Sequence, residues 1–455
     1  VQQAELDREI TELRSRLRAA VDGAGTRRNP QVAMAIVGTL NTDEVFTSPA
    51  QNLALFEEAV AGFTAAQANE LGKALFAGEG PLLYATSPEP LAGGEAALAA
   101  AYQASTRVAV AAPTVETAKA WTYTSFGAAA RPANVQTDEA LGVTTATFPN
   151  GVRVVVRPNA ARKDEIWVRA RFAGGRLALP TDREMQTWIW GGAFTEGGLK
   201  DLTAEEISQA LTGKIYGANL AISDDAVLMS GRTRPADFAT QLQVLAAYTT
   251  APGWRPEGFQ RVRGQADNLW RQLESSPDGV FARDGARTLR GGDKRWGFSN
   301  RAAVDAAQPS DLQSWLSPIL ASAPLEIVIV GDVDPQDAIA QVGATFGALP
   351  ARAAQAPRLS GSDRLRFASP AAQAIELEHK GRADQGLAFV AWPTDDFYDD
   401  MKTARTMTLL QAVMRLRLID EVREKQGASY GASSGGEMSE VFDEFGLVNA
   451  SAPVK

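Results

Sequence analysis

The same order of elements occurs twice along the chain, and this repeat limits the fold more than any other feature of the sequence. Pro81-Leu-Leu-Tyr-Ala-Thr86 runs before an Ala-rich helical stretch, and Pro324-Leu-Glu-Ile-Val-Ile-Val-Gly-Asp332 runs before the helical stretch 337–346. An amphipathic helix precedes each segment and a proline-containing break follows it. The pattern predicts a domain-sized repeat, and at about 150 residues per domain the 455 residues predict roughly three domains.

Helical periodicity dominates the first part of the chain. Leu6, Ile10, Leu13 and Leu17 recur at helical spacing in the first segment, which predicts a packing helix. Further segments have helical patterns, and two short apolar runs predict strands. The helices are predicted at 52–61, 65–76 and 94–105 and the strands at 82–85 and 107–111. Residues 113–140 have no sustained periodicity and predict a linker.

A β-hairpin opens the next unit, because Val143–Phe148 and Val152–Val156 flank an Asn-Gly pair that supplies a tight turn. Apolar residues then alternate from Ile166 to Phe172, which predicts a strand with one buried face. The spacing of Thr203 and Glu206 predicts a capping box at the start of a helix. Strands at 217–222 and 226–231, a helix opened by Pro235 and a helix at 256–274 complete the predicted pattern.

The last unit is predicted to begin at about residue 353. Strands are expected at 374–378 and 387–392, a helix at 398–425, and further strands from Tyr430 and at 447–452. Two apolar stripes on the helix predict that a wide face of it is buried. The stripes consist of Met407, Leu410, Met414 and Leu418, and of Leu409, Val413 and Leu416.

The end of this long helix is predicted to bring two polar side chains together. Arg423 lies in the last turn, Gly427 permits a left-handed reversal, and Tyr430 opens the returning strand. A guanidinium and a phenol would both donate to a carbonyl oxygen, and more strongly as it becomes an oxyanion. In the structural alternative, Arg423 pairs with Glu424 or Asp420, or favours the helix dipole, and Tyr430 packs in the sheet.

Composition excludes several classes of site and partner. With 1 histidine and 0 cysteines, the chain cannot form a disulfide, a thiolate metal site or a zinc site built from two imidazoles. His379 is predicted to be a structural or surface residue. A net charge of −9 with only short basic clusters argues against nucleic acid. No stretch reaches the roughly 18 apolar residues of a membrane helix, and the start at Val1 has no signal-peptide pattern, so we expect the chain to begin inside a larger protein.

Three segments carry a resemblance to one family. Leu416-Arg-Leu-Ile-Asp-Glu-Val-Arg423-Glu-Lys-Gln-Gly427-Ala-Ser-Tyr430 resembles a signature in the C-terminal half of the M16 metallopeptidases, the pitrilysin and insulinase family. Phe148-Pro-Asn-Gly-Val-Arg-Val154 resembles the hairpin that opens an M16 repeat. Ile329-Val-Gly-Asp-Val-Asp334 resembles the closing strand and turn of such a repeat.

The resemblance implies an α+β fold of repeated M16-type domains, each an antiparallel-rich sheet packed with helices. In the family, two halves of two domains each close around a peptide like a clamshell. By this resemblance, residues 1–112 are the end of a second domain and 113–140 a linker. Residues 141–352 are then a third domain and 353–455 an incomplete fourth.

Zinc in active family members is held by a His-x-x-Glu-His motif in the first domain. The matching place in the third domain is Thr187-Trp-Ile-Trp190-Gly191, which has no metal ligand. The resemblance therefore implies that the zinc ligands lie upstream of Val1, in a zinc-bearing N-terminal half of the same polypeptide or of a separate subunit. We expect Trp188 and Trp190 to pack at a contact between the halves rather than to form a substrate box.

The resemblance implies that Arg423 and Tyr430 hold and polarise a peptide substrate opposite the zinc. The expected function is the substrate-binding C-terminal portion of a zinc-dependent M16 endopeptidase, inactive by itself. The alternative is a non-catalytic M16-like partner subunit or a structural protein of a processing complex. The presence of both residues favours the catalytic assembly, because a purely structural subunit does not need them. Long bacterial members of the family suggest a periplasmic location.

Overall fold

Two compact units make up the chain in a computed structural model. The first consists of Val1–Trp121 with Ser208–Lys214, and the second of Thr122–Ile207 with Ile215–Lys455. The structure describes residues 1–455 except 79, 80, 88, 111–117, 183, 185, 186, 299, 300, 358, 370–372, 428 and 455, and at 187–189 it describes the backbone alone. No helix in the described ranges is long and apolar enough to cross a membrane.

The first unit is helical in its described residues. Its helices are α1 (Gln3–Asp22), α2 (Asn29–Asn41), α3 (Pro49–Val60), α4 (Ala65–Leu75) and α5 (Gly94–Ser105). The helices predicted from periodicity are confirmed. Ser48 and Thr64 begin α3 and α4 with capping boxes, which satisfy backbone N–H groups that a helix start leaves unpaired.

Three predicted strands are wrong. Residues 82–85, 107–110 and 374–378 form no strand, and residue 111 lies outside the described residues. Leu82 and Ile375 are largely exposed, at 101% and 57%. A short apolar run becomes a strand only when a neighbouring strand satisfies its backbone groups. None of these segments has such a neighbour within the part of the chain that the structure describes.

A seven-stranded sheet organises the second unit, in the order β1-β2-β3-β7-β4-β6-β5. Its strands are β1 (Asn134–Asp138), β2 (Val143–Thr147), β3 (Arg153–Pro158), β4 (Ile166–Ala173), β5 (Asn219–Ile222), β6 (Ala226–Thr233) and β7 (Leu325–Gly331). The pair of β3 and β7 is parallel, and the other neighbours are antiparallel. This antiparallel-rich sheet packed with helices is the α+β architecture expected from the resemblance.

Helices fill the connections of this sheet. They are α6 (Thr187–Glu196), α7 (Ala204–Ala210), α8 (Phe238–Thr250), α9 (Pro256–Glu274), α10 (Pro277–Val280), α11 (Ala286–Leu289), α12 (Arg301–Ala306), α13 (Pro309–Ser322) and α14 (Pro335–Ala344). A wider π-type turn at Phe281–Gly285 joins α10 to α11. The core lies between sheet and helices, where Val154, Phe172 and Ile327 are fully buried.

Local sequence patterns in this unit are confirmed. Ile166, Val168, Ala170 and Phe172 on β4 are at most 1% exposed, as their alternation predicts. The capping box at α7 is reciprocal, because the Thr203 backbone N–H donates to Glu206 at 2.8 Å and the Glu206 N–H donates to the Thr203 hydroxyl at 3.1 Å.

The hairpin between β2 and β3 is also confirmed, and its turn residues do more than reverse the chain. Gly151 has a positive φ of 85°. The Asn150 side-chain amide donates to the carbonyl oxygens of Phe346 and Leu349, both at 2.9 Å. One strand, β1, lies within the segment 113–140 that the sequence predicts as a linker. All five of its residues are exposed, so no buried periodicity marks it.

A smaller sheet forms the C-terminal part of the second unit, in the order β8-β10-β9. Its strands are β8 (Gly386–Thr394), β9 (Ser433–Met438) and β10 (Gly446–Val454), and helix α15 (Met401–Leu418) continues into π-type turns at Ile419–Lys425. The prediction that a wide face of this helix is buried is wrong. Leu409, Val413 and Leu416 are 66%, 44% and 64% exposed, because α15 packs mainly on β9 and β10 and no other described element covers these side chains.

The small sheet repeats part of the large one. Strands β4, β6 and β5 are neighbours in the large sheet in this order, as β8, β10 and β9 are in the small sheet. In both sets a helix follows the strand that comes first in the chain, β4 or β8, and leads towards β5 or β9. The sequence Gly-x-x-Tyr precedes β5, as Gly213 and Tyr216, and also precedes β9, as Gly427 and Tyr430. Both glycines have positive φ angles, 79° and 61°. The structure therefore contains an internal repeat.

Candidate functional site

The end of α15 carries the two residues that the sequence singles out. After the π-type turns, the Gly427 backbone N–H donates to the Arg423 carbonyl oxygen at 3.1 Å, and a φ of 61° at Gly427 reverses the chain. A left-handed residue just past a helix end is the usual way to close it, and glycine adopts this conformation without strain. The returning strand begins at Ser433 rather than at Tyr430, so Tyr430 lies in the connection before the sheet.

Arg423 and Tyr430 converge. The guanidinium carbon of Arg423 lies 5.4 Å from the centroid of the Tyr430 ring, which is a cation–π distance. Tyr430 is 85% exposed, and the Arg423 side chain is 46% exposed. Neither group is therefore sealed in a core, and both are open to solvent on the same surface.

The structural alternative applies to Arg423 in part and not to Tyr430. Arg423 forms an ion pair with Glu424 at 3.3 Å. Asp420 instead bonds to Lys425 at 3.2 Å, and this bond raises the pKa of Lys425. Tyr430 does not pack in the sheet. An exposed ion pair contributes little free energy, so a stronger acceptor can displace Glu424 from Arg423.

A close approach between helix and strand fixes where the end of α15 lies. A Cβ atom added to Gly436 on β9 would overlap Nε2 of Gln411 on α15 and would lie 2.5 Å from the carbonyl oxygen of Leu447. Only glycine leaves room for this contact. Gly436 is not among the residues predicted from the sequence. The adjacent pair Gly435 and Gly436 inside a strand pattern was the available signal.

The place that matches the zinc motif is part of the core. Trp190 on α6 is 0% exposed, and its ring packs against Trp315 with 5.3 Å between centroids. A Cβ at Gly191 would lie 2.5 Å from the carbonyl oxygen of Leu220. The prediction that Trp190 packs at a contact between halves is therefore wrong, because a fully buried side chain cannot reach another surface. The side chain of Trp188 lies outside the described residues.

Metal-binding geometry is also missing from the described residues. No group of three or more His, Cys, Asp or Glu side chains among them could hold a metal ion. His379 lies in a surface turn, where its Nδ1 accepts from the Gly381 backbone N–H at 3.1 Å and its Nε2 lies 2.8 Å from the Gln385 carbonyl oxygen. This is the structural or surface histidine that the sequence predicts.

Comparison with known families gives a match over the last third of the chain. Residues 307–455 match the family model described as the peptidase M16 inactive domain. This range contains both Arg423 and Tyr430. No curated protein matches the chain significantly.

Solved structures share the fold along nearly the whole chain. The periplasmic protease PqqL from Escherichia coli aligns with a TM-score of 0.61 and 18% identity, over 99% of this chain and 50% of PqqL. The ferredoxin protease FusC aligns with a TM-score of 0.59 and 16% identity, over 98% of this chain and 49% of FusC. The chain thus spans about half the length of these two proteins.

A peptidase M16 inactive domain from Pseudomonas fluorescens has the same fold as well. It aligns with a TM-score of 0.52 and 18% identity, over 69% of this chain and 75% of that domain. The TM-scores show a shared fold, and the family model matches the C-terminal segment. Residues 307–455 therefore match the peptidase M16 inactive domain, and nearly the whole chain has a fold similar to that of PqqL and FusC.

Proposed function

We propose that this chain is the substrate-binding portion of a zinc-dependent M16 endopeptidase, and that Arg423 and Tyr430 bind a carbonyl oxygen of the peptide. The observation that carries the proposal is the convergence of the two side chains at 5.4 Å on an exposed surface. The match of residues 307–455 to the peptidase M16 inactive domain and the fold shared with the proteases PqqL and FusC support it.

The two side chains supply complementary donors. The Arg423 guanidinium carries a permanent charge and several N–H groups in a plane, and the Tyr430 hydroxyl is a directional donor. Hydrogen bonds to an oxygen strengthen as negative charge develops on it, so these donors stabilise a tetrahedral oxyanion more than the starting amide. In the proposal, a single substrate oxygen approaches both donors, which lie at one chain reversal.

The residues of this chain at the position of the zinc motif do not fit a zinc ion. The position that matches the family's motif is closed by Trp190 and by the Leu220 carbonyl oxygen, and the single histidine lies in a surface turn. In the proposal, the zinc belongs to a zinc-bearing M16 half in the same polypeptide or in a partner subunit. The chain alone would then be inactive. A periplasmic location is proposed by analogy with PqqL.

The test uses this chain together with a zinc-bearing M16 half, and measures hydrolysis of an internally quenched peptide. Arg423→Ala should lower kcat/KM about 100-fold, the typical effect of removing one oxyanion donor. Tyr430→Phe should lower it at least about tenfold, because one neutral hydrogen bond is lost while the ring remains. Arg423→Lys should restore only part of the activity, since lysine keeps the charge but loses the planar fork.

Arg417→Ala is the matched control, because Arg417 is an exposed arginine on the same helix. It should leave kcat/KM unchanged. Chelation of the metal should abolish hydrolysis in the assembly, while the chain alone shows none at any metal concentration. If Arg423→Ala and Tyr430→Phe leave kcat/KM unchanged, the proposal is wrong. The alternative of a non-catalytic partner subunit would then account for the chain.

A further inference from the structure

A cavity of about 270 Å³ lies between the small sheet and the helical segment that precedes Arg290. One wall comes from Phe281, Ala282 and Ala286, and the other from Phe389 on β8 and Leu447 on β10. The rings of Phe281 and Phe389 meet with 4.3 Å between centroids. The cavity therefore joins two distant parts of the second unit, and most of its lining is apolar.

A buried cation lies at one end of this cavity. Arg290 is 8% exposed and donates to the Glu437 carboxylate at 2.5 Å. Its guanidinium carbon also lies 5.0 Å from the Trp296 ring and 5.2 Å from the Phe445 ring. The Nε atom of Arg290 is buried and has no hydrogen-bond partner in the described part of the chain.

The walls behind the cavity are well packed. Leu447, Phe442 and Phe445 are at most 5% exposed and belong to one apolar cluster with Trp296. Such packing holds the cavity open in a defined shape, since the side chains around it cannot collapse without losing contacts. In contrast, the Glu437 side chain is 41% exposed, so the polar end opens towards solvent.

The size of the cavity selects the kind of occupant. Sites for small molecules and cofactors usually enclose about 300–1,000 Å³, and one water molecule takes about 30 Å³ of liquid volume. A volume of about 270 Å³ is too small for a typical cofactor and much larger than a water site. It suits one large apolar side chain with its adjoining peptide group. Because Glu437 already neutralises Arg290, the site does not require an anion.

Strand β9 connects this cavity to the candidate site. Gly436 and Glu437 line the cavity, and Tyr430 precedes the same strand. The seven Cα-to-Cα steps from Tyr430 to Glu437 span at most about 25 Å when extended. A peptide held at Arg423 and Tyr430 can therefore reach the cavity with about seven or eight of its own residues.

We propose that the cavity is a specificity pocket for one aromatic or large aliphatic side chain of the peptide that Arg423 and Tyr430 hold. The apolar walls bind the side chain. This inference rests on the proposed function for the position of the peptide. It predicts that peptides of about ten residues bind more tightly when one Phe lies at a defined distance along the peptide from the residue that Arg423 binds.

The experiment measures fluorescence anisotropy of fluorescein-labelled decapeptides of Ser, Ala and Gly with this chain. In one set a single Phe occupies each position in turn, and the reference peptide has none. At least one placement should bind about tenfold more tightly than the reference. Ala282→Trp should remove this enhancement, because Ala282 is an exposed lining residue and the indole would fill the cavity.

Ala388→Trp is the matched control. Ala388 is exposed on β8 next to Phe389 and points to the opposite face of the sheet, so its indole leaves the cavity open. The enhancement should persist in this variant. As a second measurement, a benzoylphenylalanine in place of the best Phe should cross-link to Phe281, Ala282 or Phe389. Thermal unfolding of both variants checks that they fold.

Two results would overturn the pocket: no Phe placement exceeds a threefold gain, or the gain persists in Ala282→Trp. Arg423→Ala separates this inference from the proposed function. If both hold, Arg423→Ala weakens every peptide by the same factor and keeps the gain from Phe. If Arg423→Ala leaves the affinity of every peptide unchanged while Ala282→Trp removes the gain from Phe, the pocket is supported and the proposed role of Arg423 is wrong.

Discussion

Single residues place the candidate site, and glycine has the largest effect among them. Gly427 lets the chain turn back at the end of α15, with a φ of 61° and open space around its α-carbon. Arg423 and Tyr430 lie on either side of this reversal and meet because of it. The geometry of the pair is thus a consequence of backbone conformation, rather than of a dense set of side-chain contacts.

Replacing Gly427 with alanine should cost stability through backbone strain alone. A left-handed conformation costs a non-glycine residue about 1–2 kcal/mol, so we expect the free energy of unfolding to fall by about 1 kcal/mol. Gly264→Ala is the control, since Gly264 also has open space but lies inside α9 with an ordinary φ. That substitution should raise stability by about 0.5–1 kcal/mol. Urea unfolding measures both, and equal effects would contradict the explanation.

At the scale of elements, helix α15 and strand β9 pack closely against each other. Their contact depends on Gly436, which lets Gln411 of the helix lie against the strand. The helix end that carries Arg423 is positioned by this packing, and the strand continues to Glu437 at the cavity. A change at Gly436 therefore affects the site although the residue touches neither Arg423 nor Tyr430.

Gly436→Ala should be destabilising, and its neighbour should tolerate the same change. The new methyl group at Gly436 would meet a backbone oxygen, which cannot move cheaply, so we expect a loss of about 1–3 kcal/mol. The control Gly435→Ala places a methyl group 3.7 Å from Asn449, an ordinary contact. It should change stability by less than about 0.5 kcal/mol. Chemical denaturation measures the free energy of unfolding of both variants. A larger loss of stability at Gly435 would show that the close approach at Gly436 does not determine the effect.

At the scale of the whole molecule, comparison of the two copies of the internal repeat shows which neighbouring helix α15 lacks. In the first copy, α6 packs on β5, and α9 takes a place against α6. No described element takes that place on α15, and Leu409, Val413 and Leu416 remain exposed. An apolar face of this extent usually marks an interaction surface or a risk of aggregation.

Core and surface leucines should respond differently to truncation in this chain. Leu409→Ala should change the free energy of unfolding by less than about 0.5 kcal/mol, because Leu409 is 66% exposed. Leu447→Ala should cost about 2–5 kcal/mol, because Leu447 is 5% exposed in the apolar cluster. Urea titration of both variants is the measurement. Equal losses would mean that α15 is covered in solution, as the sequence pattern predicts.

Features that depend on neighbours along the chain follow from the sequence by itself. The Asn150-Gly151 hairpin, the alternation on β4, the Thr203–Glu206 capping box and the reversal at Gly427 belong to this class. Each is decided within a few residues by allowed φ angles, side-chain periodicity or the pairing of helix-end N–H groups. The same local reasoning correctly places Arg423 and Tyr430 on either side of a turn.

Features that depend on distant partners were decided only by the tertiary structure. The apolar run at 82–85 forms no strand, the second stripe of α15 is exposed, and Trp190 is buried in the core instead of at a contact between halves. The sequence specifies that these side chains are apolar, but burial depends on which surfaces lie against them. The cavity beside Arg290 has the same origin, because its two walls come from segments more than 90 residues apart that meet only in the folded chain.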